Sequence, residues 1–104
     1  MTDGLLLGEP DRVSRAALGI AEHPPISERD RSIIAATLGA EMPAFAEFDQ
    51  LVHSLSVSIG EAATQSDLVR AEREYQQMLN ACLGCHSVYK TRVAQALGAN
   101  ETAP

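Results

Sequence analysis

Residues 68–98, LVRAEREYQQMLNACLGCHSVYKTRVAQALG, decide the fold. Leu68, Tyr75, Cys82, Tyr89 and Ala96 recur at strict seven-residue intervals, and Ala71, Met78 and Cys85 fill the complementary positions. That spacing predicts one long helix with a continuous inward seam, and it turns the cysteines toward the core. Ser66 or Asp67 can cap its start; Gly98-Ala99-Asn100 is expected to end it, leaving a short frayed tail.

Upstream of this segment the same signals recur. Pro43 suits the first turn of a helix whose apolar positions Phe45, Phe48, Val52, Leu55, Ile59 and Ala62 form a second heptad seam. Ser27 followed by Asp30 is a weak capping box, and Ile33, Ile34 and Leu38 supply an apolar stripe that runs to Gly39. Pro10 opens a further helix to about Glu22, ended by His23-Pro24-Pro25, because a residue before proline is pushed out of the helical region. No alternating strand pattern interrupts these four segments, so the expectation is an all-α chain, an antiparallel four-helix bundle joined by short loops.

Size and composition bound the rest. The 104 residues suffice for a single domain, and with 45% hydrophobic but only 4% aromatic residues, Ala, Leu, Val and Ile must fill its interior. Fourteen acidic residues against eight scattered basic ones give a formal charge of -6, which argues against nucleic acid and anionic membrane surfaces as partners. No apolar run reaches the ~20 residues of a membrane span, and Met1-Thr2-Asp3-Gly4 does not read as a secretory signal.

Cys82-Leu83-Gly84-Cys85-His86 is a C-x-x-C-H motif, the pattern of c-type haem attachment. On a helix, residues i, i+3 and i+4 share a face, so two thioethers can grip a porphyrin edge while the His86 imidazole reaches the iron. Gly84 would let the macrocycle approach the backbone. A redox dithiol is the first competing reading, although these cysteines lie well inside a helix and lack the activation of a helix N-terminus. Structural zinc is the second, and it would need more ligands than two cysteines and His86 supply. Haem attachment completed outside the bacterial cytoplasm makes the periplasm the expected location.

The segment from Cys82 to Lys90, with two residues between the motif and Tyr89-Lys90, resembles the haem helix of the cytochrome c prime family and its low-spin relatives, the class II c-type cytochromes. Gly4 to Pro25 resembles the end of that family's first helix followed by its second. The resemblance implies a four-helix bundle with one haem c, a first helix that is short or truncated here, and a homodimer. It also implies one of two iron sites. In the low-spin relatives a Met of the first helix is the sixth ligand, for which Met1 is the counterpart; in cytochrome c prime itself the iron is five-coordinate.

Other candidates carry weaker roles. Met78, one turn before Cys82, is expected to touch the haem edge or pack in the core, and Tyr89 to pack near the proximal face. Met42 and His53 are alternative distal ligands, with core packing and half-buried structural roles as their plain readings. His23 is expected to interact with a helix C-terminus, and Lys90 or Arg92 to pair with a propionate or stay solvated. No paired carboxylates, nucleophile triad or phosphate-binding glycine loop suggests an enzyme. The expected function is one-electron transfer with redox proteins as partners; the alternative is a five-coordinate haem protein that binds nitric oxide or carbon monoxide.

Overall fold

The computed structural model describes residues 1–102, with side chains described through Gly98. Five α-helices follow one another: α1 (Thr2–Leu7), α2 (Pro10–Ala21), α3 (Glu28–Leu38), α4 (Met42–Thr64) and α5 (Leu68–Thr102), with a 3-10 turn, Gly39–Glu41, between α3 and α4. Of the described residues 88% are helical, and no strand occurs among them.

Local chemistry places most of these boundaries. Gly8 takes the left-handed conformation, φ 65°, that closes α1. Pro10 begins α2 and Pro43 lies in the first turn of α4, positions where a missing N–H costs no helical bond. The Ser27 hydroxyl accepts the Asp30 N–H at 3.1 Å, and the Asp67 carboxylate accepts the Arg70 N–H at 3.1 Å, so both expected caps form. The end of α5 differs from expectation: the helix continues through Gly98, Ala99 and Asn100 to Thr102. A glycine inside a helix costs only about 1 kcal/mol against alanine, and no proline intervenes before Pro104. The rest of the expected tail, Ala103 and Pro104, lies outside the described residues.

The α4 helix is the hub, packed against α2 and α5, while α3 packs on α5. Two apolar cores result. The first joins Val13 and Ala17 of α2 to Ile59, Ala62 and Ala63 of α4 and Ala71 and Met78 of α5. The second joins Ile34 and Leu38 of α3 to Tyr89 of α5, with Phe45 and Phe48 of α4 packed against it. Because α2 packs on α4 while α3 packs on α5, the molecule is drawn out to 49 × 25 × 19 Å. Its radius of gyration is 15.9 Å, against about 13 Å for a compact chain of this length.

The first helix is short but tied down. A Cβ on Gly4 would sit 2.9 Å from Val13 Cγ2 and 3.0 Å from the Val13 backbone nitrogen, so only glycine allows α1 to lie this close to α2. The Thr2 and Tyr75 hydroxyls bond to each other, and Arg12 pairs with Asp3 at 3.0 Å, which fastens α1 to both α5 and α2. No helix among the described residues is long and apolar enough to cross a membrane.

Candidate functional site

Cys82, Cys85 and His86 stand on one side of α5, and α4 faces them with Phe45, Phe48, Asp49 and Val52, which share a face at i, i+3, i+4 and i+7. These seven residues line a cavity of about 190 Å³. A second cavity, of about 340 Å³, shares Phe45, Cys85 and His86 with it and continues along α5 past Tyr89, Lys90, Val93 and Leu97. The two are lobes of one apolar groove.

The groove lies where the two cores fail to meet. Val52 and Cys82 pack against the first core, whereas Phe45, Phe48 and Cys85 pack against the second. Between them α5 presents short side chains, Cys82, Gly84 and Cys85, in place of the Leu, Met or Tyr that would close the gap. Both cysteines are half-buried and His86 is exposed at the mouth. The expectation that the motif faces the core therefore holds for the thiols and not for the imidazole. The inward face of α5 is also offset from the heptad seam, since Ala81, outside it, is buried at 5% exposure while Tyr75 and Cys82 are only half-buried.

The other expected residues are spread over both cores. Met78 is buried in the first core. Met1 packs its side chain there too, at 4% exposure, and lines neither lobe. Tyr89 is buried in the second core, edge-on to Phe45 with ring centroids 5.6 Å apart. Met42 packs half-buried on the same core and lines a separate small cavity with Asp49 and Arg31. His53 is exposed on α4, not half-buried, because it falls one residue past the seam position Val52. His23 lies beyond α2, its Nδ1 2.9 Å from the Pro24 carbonyl oxygen.

Of the two cations after the motif, Arg92 is committed elsewhere. Its guanidinium takes both Glu41 carboxylate oxygens, at 2.7 and 3.1 Å, and lies over the Tyr89 ring, 5.5 Å from the centroid. Lys90 is exposed and lines the larger lobe. The space beside Gly84 is taken by Phe48, whose Cε1 lies 3.2 Å from where a Cβ would be. The glycine thus admits an aromatic ring of α4.

The charge environment bears on the competing chemistries. Burial pushes the Cys85 thiol above the ordinary range, and the neighbouring Cys82 and the Asp49 carboxylate push the same way. A thiol held protonated is a poor nucleophile, which weighs against a redox dithiol. Iodoacetamide should therefore modify Cys85 of the unmatured chain more slowly than free cysteine up to pH ~8.5. Peptide mass spectrometry across a pH series checks this, and rapid labelling near pH 7 would contradict it. No cluster of three or more His, Cys, Asp or Glu residues positioned to hold a metal ion occurs among the described residues.

What remains suits a porphyrin. Its own nitrogens supply most of the metal's ligands, so a single imidazole, two thiols at helical spacing and an apolar, aromatic-walled groove are the donor set it needs from a protein. Sequence reasoning placed Phe45, Phe48 and Val52 on the seam but not Asp49, whose charge disguises its place on the cavity-facing side of α4. No family model, curated protein or solved structure matches the chain.

Proposed function

We propose that this chain is a c-type cytochrome carrying one haem c and moving one electron at a time between redox proteins in the periplasm. Cys82 and Cys85 would hold the haem through thioethers, and His86 would be an iron ligand. The observation that carries this reading is the groove at the break between the two cores, which has both thiols and the imidazole on one wall and Phe45, Phe48 and Val52 on the other. The architecture that goes with it is an antiparallel bundle whose first helix, α1, is short. Exposed Leu79 and Leu83 beside the motif keep a homodimer within the same proposal.

When bound, the haem supplies a reversible one-electron couple. The protein residues do the rest. Phe45, Phe48 and Val52 would wall one side of a bound haem with apolar surface, and the Glu41–Arg92 pair holds the start of α4 against α5, with Arg92 over the Tyr89 ring. Two helices fixed in this way limit rearrangement when the charge of the site changes.

A second reading, binding of nitric oxide or carbon monoxide at five-coordinate iron, is favoured by one observation. Met1, Met42, Met78 and His53 line neither lobe of the groove, so among the described residues no second Met or His lines it with His86. One experiment tests both readings. The chain, matured by a c-type haem attachment system, should gain the mass of one haem. A sharp α/β pair in the reduced spectrum, unchanged by carbon monoxide, supports electron transfer, and a broad high-spin spectrum that shifts with carbon monoxide supports gas binding. A colourless product with the mass of the bare polypeptide refutes both.

A further inference from the structure

We propose that Lys90 receives the carboxylate edge of the bound tetrapyrrole and so sets which way round that group lies in the groove. The inference rests on the proposed function for the identity of the ligand, and it names the side chain of this chain that recognises the ligand's charge.

The groove is polarised. Among the residues that line its two lobes, Lys90 is the one lysine or arginine and stands in the larger, while Asp49 is the one carboxylate and stands in the smaller. Both are exposed at the rim, so neither burdens the fold with a buried charge. A haem carries two propionates on the side of the ring remote from the substituents that cysteines take. With Cys85 at the junction of the lobes, those carboxylates meet a like charge if they extend over the smaller lobe and an opposite one if they extend over the larger. Space points the same way, about 340 Å³ against about 190 Å³.

Position on α5 separates Lys90 from the neighbouring cation. Lys90 follows His86 by one helical turn and shares its side of the helix, whereas Arg92, two residues further on, is rotated by about 200°. Arg92 is held there by both Glu41 carboxylate oxygens, at 2.7 and 3.1 Å. Lys90 takes part in no hydrogen bond or ion pair among the described residues, so its ammonium can swing to a ligand without giving up a partner. From Cys85 and Cys82 to Lys90 the rise along the helix is about 8–12 Å, comparable with the width of a porphyrin, and the flexible lysine stem adds reach. Arg31 borders only a side cavity of about 70 Å³ that it shares with Asp49, which leaves Lys90 as the cation of the groove itself.

Two measurements test the assignment. The first uses the unmatured full chain and iron mesoporphyrin, whose ethyl groups cannot form thioethers, as the free diacid and as the dimethyl ester, with affinities read by absorbance titration. The ratio of diacid to ester affinity should fall about fivefold in Lys90→Gln, the upper end for an exposed ion pair, and should also fall in high salt. It should hold in Lys90→Arg and in Arg15→Gln, which removes the same charge from an exposed site outside both lobes. The second uses the matured protein: the propionate-bending modes of its resonance Raman spectrum should shift in Lys90→Gln and return in Lys90→Arg. A ratio that is the same in wild type and Lys90→Gln, including the case in which neither porphyrin binds, overturns the proposal, and so do unchanged modes. Failure of the wild type and every variant to gain the mass of a haem on maturation would instead refute the proposed function, and the affinity ratio would still decide where a tetrapyrrole's carboxylates lie.

Discussion

Alanine at both Cys82 and Cys85 is expected to abolish the proposed covalent haem attachment and to leave the chain folded: after maturation the double variant should have the mass of the bare polypeptide, and any colour should extract into acidified acetone. The loss is complete because both links vanish, while the structural cost is small. Each cysteine is half-buried beside an open cavity, so deleting a sulfur enlarges an existing gap and falls below the 2–5 kcal/mol of deleting a buried Leu or Ile side chain. Alanine is also the best helix former, so α5 gains locally what it loses in contacts. Far-ultraviolet circular dichroism should match the wild type. Either single variant should keep one thioether and hence the added mass. His86→Ala should keep both links and change the spectrum instead, which separates attachment from ligation. Haem that resists extraction from the double variant would show that these sulfurs are not the anchors.

Much of this arrangement is legible in the residues. Helix α2 lies within the span between Pro10 and Glu22, and α3 follows the Ser27 cap, because caps and prolines act within one turn and need no tertiary information. The heptad in residues 68–96 gives the long helix and its cysteine-bearing side for the same reason. Tertiary choices are what the pattern leaves open. A seam says which residues may turn inward, not how many neighbours meet them. With α2 seated on α4 and α3 on α5, the buried stripe of α5 reaches Ala81 and leaves His86 and Cys82 at its margin.

The same limit explains Asp49 and His53. Both sit next to seam residues of α4, and both read from the sequence as solvent-facing or half-buried according to chemistry alone. Only the register between α4 and α5 puts the acid on the lining of the smaller lobe and leaves the histidine outside. The two lobes themselves are a consequence of shape: short side chains in the motif meet large ones, Phe45 and Phe48, whose rings pack edge-on with Tyr89 while Phe48 also fills the space beside Gly84. Packing between elements of different length is not encoded in any single periodicity.

Ile59→Ala should have the largest effect on stability, a loss of about 2–5 kcal/mol in urea unfolding, out of the ~5–15 kcal/mol that a domain of this size has in total. Ile59 is fully buried in the first core, where α4 lies between α2 and α5. Its neighbours Ala17, Ala62, Ala63 and Ala71 carry side chains too small to move into the void. Most of the cavity therefore persists, which places the cost toward the upper part of that range. Val57→Ala, two residues away and 42% exposed, is the control and should stay within about 0.5 kcal/mol of wild type. The site should feel the change through Val52 and Cys82, which pack against this core, more than through Phe45 and Tyr89, which belong to the other. Hydrogen exchange should accordingly rise in α2 before α3. A cost below about 1 kcal/mol, or exchange rising equally in both helices, would mean that the two cores act as one and that the groove is not a break between them.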